Sequence, residues 1–287
     1  MATLMKEQSA AAANRLTGAL GAEITGIDLG ATLSDEQKRF IRQSLADHLV
    51  VYFRGKPMSP ENHVELSRFL GPDEPIPHLV SREDFPTIQF IRTEADTDKP
   101  YVVGEAWHSD STYLPSPPGG IVMRAVKLPP VGGDTLFANM YTVFETLSPK
   151  LKDILRSLNA VHSPKRVFGS QSKSYDPSTV KKMAPEAGDK ETVHPAVCRH
   201  HLTGREYLNV NPVYTMRFEK MTEDESAGLL AHLYAHTALP QFQCRVSWQP
   251  DQVLIWDNRA AQHRAVPDYL GEARYLERST FGAPAPN

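Results

Sequence analysis

Apolar residues recur at helical spacing in several stretches of the chain, and each of these stretches opens on a start signal. Ser34 with Gln37 makes a capping-box pattern ahead of Phe40, Ile41 and Leu45, and Ser59-Pro60 puts proline at the first helical position ahead of Val64, Leu66 and Phe69. Ser148-Pro149 repeats the second signal before Leu151, Ile154, Leu155 and Leu158. Thr222 with Glu225 repeats the first, before a helix that should run to about His236 with Leu229, Leu230 and Leu233 on its apolar side.

Short β-rich runs bounded by Gly and Pro lie between these helices: 49–53, 87–91, 120–126, 135–138, 207–210, 252–256 and 275–281. They do not alternate regularly with helices, as the strands of a doubly wound parallel sheet must. The pattern predicts a mainly β fold, an antiparallel sandwich or jelly roll with flanking helices. No low-complexity linker divides the chain, so residues 18–287 read as one domain behind a frayed tail at 1–17. Residues 164–190 lack sustained periodicity and carry six basic residues against three acidic ones, which suits a lid over a site that takes negative charge.

Composition narrows the partners. A net charge of −3 and a pI near 6.4 lack the concentrated basic excess needed to neutralise phosphates, so nucleic acid is not an expected partner. No apolar run approaches the ~20 residues of a membrane span, and no signal-peptide core is visible. Cys198 and Cys244 are far apart in the sequence and form neither a disulfide framework nor a thiolate zinc motif. These features fit a reducing compartment, and a cytoplasmic homo-oligomer acting on a small molecule is the expectation.

Candidate chemistry concentrates in Trp107-His108-Ser109-Asp110. On a strand or its edge, His108 and Asp110 would share a face with Cα atoms ~6.6 Å apart, a workable bite for two cis positions on one metal ion. By itself a His-x-Asp triplet has little specificity. His263 is the best third ligand, and two imidazoles with one carboxylate on one face leave positions open, the arrangement of O2-activating non-haem iron(II). The rivals are weaker. His63-Val64-Glu65 falls in a predicted helix, where residues two apart diverge, and His232 with His236 lacks the glutamate of a metalloprotease helix. His48, His78, His162, His194, His200 and His201 have no partner at useful spacing and read as structural histidines.

The segment after His263 carries Pro267, Asp268 and Gly271, which suit a hairpin loop that would return Arg274 to a cross-strand position beside His263. Arg274, Leu276 and Arg278 then share one face of a strand. Inward arginines need anions, because an unpaired buried charge is strongly unfavourable.

These residues resemble the taurine dioxygenase and 2,4-dichlorophenoxyacetate dioxygenase family of 2-oxoglutarate enzymes. The resemblance runs from about Gly18 to Phe281 and is strongest in Trp107 to Thr112, Gly132-Gly133-Asp134-Thr135, Trp256-Asp257-Asn258 and His263 to Arg278. It implies a double-stranded β-helix, Fe(II) held by His108, Asp110 and His263, and 2-oxoglutarate held through its distal carboxylate by Thr135 and Arg274. Arg278 falls where the family holds the substrate's acidic group. Gly104 replaces an asparagine with which taurine dioxygenase contacts its substrate, which argues against taurine. Phe168, Tyr214 and Pro77 to Val80 fall where the family lines its substrate pocket.

Within the family the chain is similar to (R)-phenoxypropionate dioxygenases, through Val122-Met123-Arg124-Ala125, Met140-Tyr141-Thr142, Arg166 to Ser170, Glu191 to Pro195 and Arg264 to Tyr269. The activity so implied is O2-dependent hydroxylation of a small anionic substrate, with an aryloxyalkanoate carboxylate favoured, coupled to conversion of 2-oxoglutarate to succinate and CO2. Cleavage follows where the oxidised carbon bears a heteroatom. Oxidation of a sulfonate, phosphonate or natural-product acid is the nearest alternative. A non-oxidative metal enzyme or a binding module would have no need of all of His108, Asp110, His263, Thr135 and Arg274.

Overall fold

A computed structural model of the chain describes residues 10–95, 104–169, 185–269 and 271–282. Its largest sheet has seven strands in the order Ala12–Arg15, Ala22–Thr25, Val50–Phe53, Val253–Asp257, Gly120–Lys127, Arg274–Phe281 and Gln89–Thr93. All neighbours are antiparallel except Ala22–Thr25 with Val50–Phe53. A smaller sheet sets Thr135–Asn139 between Gln243–Val246 and Ala261–Ala265.

The period of two along the central strands decides how the layers stack. Val50, Tyr52, Ile121, Met123, Leu254 and Trp256 turn inward and pack with Phe137, Ala138, Cys244, Val246 and Ala261 of the smaller sheet. Val51, Phe53, Val122, Val253 and Ile255 turn outward, into a second core with Ile41 and Leu45 of the helix Asp35–His48 and Leu66 and Leu70 of the helix Pro60–Leu70. A sheet buried on both faces produces the unbroken apolar runs seen at 49–53 and 253–256. The architecture is the jelly roll with flanking helices expected from the sequence.

The helix starts are where local chemistry puts them. Ser34 Oγ accepts from Gln37 N at 3.2 Å while Gln37 Oε1 accepts from Ser34 N at 2.9 Å, and Thr222 with Glu225 makes the same reciprocal pair before the helix Glu223–Thr237. Ser59 and Ser148 cap the helices Pro60–Leu70 and Pro149–Arg156, each with proline in its first turn.

Other details depart from expectation. The ordered sheet begins at Ala12, inside the tail expected at 1–17: Ala12–Arg15 pairs residue for residue with Ala22–Thr25. This mostly exposed edge strand is held by backbone hydrogen bonds and gives no apolar alternation to read. Ile154 is exposed although its periodicity placed it inward. The lid expected over 164–190 falls largely on residues 170–184, outside the described residues. The two ends of that segment meet, with the carbonyl oxygen of Gly188 where a side chain on Gly169 would have to go.

The anticipated hairpin from His263 to Arg274 does not form. Ala261–Ala265 pairs with Thr135–Asn139 in the smaller sheet, whereas Arg274–Phe281 lies between Gly120–Lys127 and Gln89–Thr93 in the larger. The loop between them crosses from one sheet to the other, so His263 and Arg274 approach the interior from opposite layers.

Candidate metal centre and the cavities beside it

His108 and His263 exchange backbone hydrogen bonds in an isolated antiparallel bridge, N to O at 3.0 and 2.8 Å. This sets the two imidazoles side by side, with ring centroids 4.2 Å apart. His108 Nδ1 donates to the Ala106 carbonyl at 2.8 Å, and Nε2, the other ring nitrogen, faces inward, 3.5 Å from Asp110 Oδ1. One donor atom from each of His108, Asp110 and His263 lies within 4.8 Å of the others, and among the described residues this is the one group of this kind.

The strand that was expected to carry both His108 and Asp110 is reduced to the single bridge at His108. Asp110 sits in a turn, followed by Ser111 at φ 53°, an unusual backbone for a residue with a side chain. Its main chain is held by the side chain of Asn258, which accepts from Asp110 N at 2.7 Å and donates to Asp110 O at 3.0 Å.

The donor set suits a divalent cation. Burial alone would raise the Asp110 carboxyl, but Arg278, with contributions from His108 and His263, overcomes it and holds the group far below the usual carboxylate range. Burial pushes His263 down to about 3, with His108 adding to the effect, so its imidazole is neutral and free to ligate. Asp110 Oδ2 and His263 Nδ1 are buried without a hydrogen-bond partner. Buried polar atoms are seldom left so, and a metal ion would satisfy the cluster.

Cavities flank this centre. One of about 220 Å³ is lined by Ile76, His78, Leu79, Val167, Phe168 and Tyr214, and a narrower one of about 60 Å³ by Met123, Thr135, Trp248, Trp256, His263 and Arg274. Arg278, Gly104, His108 and Asp110 border both.

Arg274 is buried between the rings of Trp248 and Tyr269, whose centroids lie 5.8 and 5.6 Å from its guanidinium carbon. Its Nε and Nη2 have no hydrogen-bond partner. Gly133, at φ +73°, lies against it, and a side chain there would meet Nε at 3.0 Å. Thr135 lines the same cavity, its Oγ1 accepting from Trp248 Nε1 at 3.0 Å. A guanidinium in an aromatic box with two free N–H groups and a hydroxyl close by is suited to a carboxylate.

Arg278 also has unpartnered Nε and Nη2, although Nη2 lies 3.0 Å from Asp110 Oδ2 in an ion contact whose angles make no hydrogen bond. Glu277, one residue before it, points to the opposite face of the sheet, where it pairs with Arg82 and Arg124.

The metal, 2-oxoglutarate and substrate residues singled out in the sequence border these cavities, by routes that the sequence did not reveal, and of the segment Pro77 to Val80 only His78 and Leu79 do. Gly104 does more than leave space: it sits at φ +81°, its carbonyl accepts from Ala265 N at 2.8 Å, and an added Cβ would lie 3.0 Å from His108 Cε1. His78, read as structural from its spacing although it lies in the segment Pro77 to Val80 that the resemblance put at the pocket, lines the larger cavity against Phe168, with ring centroids 4.2 Å apart. Trp248, Tyr269, Gly133 and Asn258 received no individual role. The run Gly132-Gly133 and the resemblance at Trp256-Asp257-Asn258 and His263 to Arg278 hinted at three of them, and nothing pointed to Trp248.

The chain matches the profile described as "taurine catabolism dioxygenase TauD, TfdA family" over residues 12–280. It belongs to that family. Among family relatives it is 32% identical to an alkylsulfatase of Acinetobacter baylyi over 271 residues, covering 93% of this chain and 83% of that protein. It is 28% identical to the 2-oxoglutarate-dependent 2,4-dichlorophenoxyacetate dioxygenase of Cupriavidus pinatubonensis over 282 residues, 93% of this chain and 96% of that one. A crystal structure of a taurine dioxygenase from Burkholderia xenovorans superposes with a TM-score of 0.79 at 30% identity, covering 95% of this chain and 89% of the other. The protein is therefore a 2-oxoglutarate-dependent non-haem iron dioxygenase, with Fe(II), 2-oxoglutarate and O2 as family requirements. Among the described residues no helix is long and apolar enough to cross a membrane.

Proposed function

We propose that the protein oxidises the carbon next to the acidic group of a small anionic substrate, with an aryloxyalkanoate carboxylate as the favoured class. The observation that carries this reading is the position of Arg278: its guanidinium lies 3.0 Å from the Asp110 carboxylate and borders the larger cavity with unpartnered N–H groups. An anion bound there sits close to the metal centre, so the carbon presented for oxidation is within a bond or two of the acid group. In an aryloxyalkanoate that carbon also bears the ether oxygen, and its hydroxylation product collapses to a phenol and an oxo acid.

His108, Asp110 and His263 hold iron in this reading. Arg274 and Thr135 hold the distal carboxylate of 2-oxoglutarate in the narrower cavity. When bound, iron and 2-oxoglutarate supply O2-dependent oxidation of a C–H bond, with release of succinate and CO2. The protein's part is orientation and exclusion of water. The Ala106 carbonyl fixes the His108 tautomer, and Arg278 keeps Asp110 anionic while drawing the substrate's acid toward it. Ile76, Leu79, Val167, Phe168 and Tyr214 offer an apolar enclosure for an aromatic body. The basic residues of 164–190 favour approach of an anion.

A second reading, oxidation of an alkyl sulfate ester, is supported by the 32% identity to the alkylsulfatase. It uses the same geometry, since the carbon of a sulfate ester is also a bond or two from the anion. The deciding experiment compares succinate release and product formation from aryloxypropionates, alkyl sulfates and taurine at matched concentrations. Fastest turnover of an aryloxyalkanoate supports the first reading and of a sulfate ester the second. A strong preference for taurine, or for an uncharged analogue over its acid, would sink both.

A further inference from the structure

We infer that Asn258 is a positioning residue for the metal centre: its side-chain amide replaces the strand partner that Asp110 lacks and thereby sets the bite between Asp110 and His108. In a continued antiparallel ladder, the residue two beyond His108 would face the residue two before His263, so Asp110 would exchange backbone hydrogen bonds with Ala261. It does not. The Ala261 carbonyl takes the Ser109 hydroxyl at 3.3 Å instead, and the chain turns away through Ser111 at φ 53°.

Asn258 supplies what the ladder would have given. Its Oδ1 accepts from Asp110 N at 2.7 Å, and its Nδ2 donates to Asp110 O at 3.0 Å and to Pro118 O at 3.0 Å. This exchange of one N–H and one C=O copies the backbone pairing of a β-bridge with a single side chain. All of these atoms are buried, so no water competes for them.

The clamp is itself anchored. Asn258 N donates to Gly119 O at 3.1 Å, and the Asp257 carboxylate accepts from Arg259 N at 2.9 Å, Ala260 N at 3.2 Å and His200 Nε2 at 2.9 Å. Arg259 adds its guanidinium to the same carboxylate. A rigid turn thus presents an amide whose donor and acceptor both point at the peptide of a metal ligand. Aspartate at this position would keep the acceptor but set a carboxylate oxygen against the Asp110 and Pro118 carbonyls. Alanine would leave all three backbone groups unpaired.

The inference rests on His108, Asp110 and His263 being the metal ligands, and the experiment separates the two claims. Mn(II) is titrated into the full-length apoprotein, wild type and the Asn258→Ala and Asn258→Asp variants, with free Mn(II) followed by electron paramagnetic resonance and thermal unfolding recorded for each. Ser34→Ala, which removes a distant helix cap, serves as a destabilised control with the centre intact. Wild type should bind one Mn(II) per chain, the Asn258 variants should bind it about 10–100-fold more weakly, and Ser34→Ala should bind it as wild type does. At saturating Mn(II), 2-oxoglutarate affinity of the variants should stay within about threefold of wild type, because Arg274 is untouched. Failure of wild type to bind Mn(II) would overturn the ligand assignment itself. Wild-type affinity in Asn258→Asp, or an equal loss in Ser34→Ala, would overturn the positioning role alone.

Discussion

Arg274 and Arg278 project from the same face of one strand, four residues apart, and serve different cavities: Arg274 reaches only the narrower one, while Arg278 stands at the junction of both. At ~3.3 Å per residue their Cα atoms are ~13 Å apart, room for two anions with a metal centre between them. The strand is buried on both faces, so neither guanidinium escapes to water.

This separation predicts a division of labour. Arg274→Ala should chiefly raise the KM for 2-oxoglutarate and Arg278→Ala that for the prime substrate, each by the ~1.5–3 kcal/mol of a charged hydrogen bond, or about 10- to 150-fold. Steady-state kinetics with each ligand varied in turn checks it. Equal effects of both substitutions on both ligands would count against distinct anion sites.

Gly104 should tolerate no side chain. Its φ of +81° costs an L-residue ~1–2 kcal/mol, and the new Cβ would press on the His108 ring at 3.0 Å. Gly104→Ala should therefore lower the melting temperature and weaken divalent-metal binding together. Wild-type stability and metal affinity in the variant would contradict the placement of this backbone against the ligand.

Acid sensitivity should come in part from His63, buried beneath the larger sheet with Nε2 3.3 Å from the Val122 carbonyl. Burial pushes this imidazole down to about 4 from 6.5. The unfolded chain therefore binds the extra proton first, and stability is full above pH 6.5 and falls as the pH drops toward 4. The loss from this group amounts to ~3 kcal/mol at pH 4. Urea unfolding of wild type and His63→Gln across that window checks it, with a shallower decline expected in the variant. Parallel declines would show that His63 does not contribute.

Much of this was legible because it is local. Capping boxes and Ser-Pro starts act within one turn, and a sheet buried on both faces leaves apolar runs that need no tertiary knowledge. The strand Ala261–Ala265 was inferred only from the loop after it, and its pairing with Thr135–Asn139 was not read: Ala-Gln-His-Arg-Ala has no β-branched residue, and its burial serves to present His263. Met140–Glu145 was missed for the opposite reason, since Met-Tyr-Thr-Val-Phe reads as β-rich, yet Asn139 at the end of the preceding strand caps it into a helix by accepting from Tyr141 N and Thr142 N. The triad residues could be named from their types and spacing with the family resemblance. Their geometry could not, because the turn at Asp110 depends on Asn258, 148 residues away in sequence.

The most direct test of the whole account is a stoichiometric turnover assay with an aryloxypropionate, following O2 uptake, succinate and oxidised product in the wild type and in Asp110→Ala. One succinate should form per product, with strict dependence on Fe(II) and O2, and Asp110→Ala should lose both products while still melting cooperatively. Full turnover without O2 or with zinc in place of iron, or wild-type activity in Asp110→Ala, would contradict it.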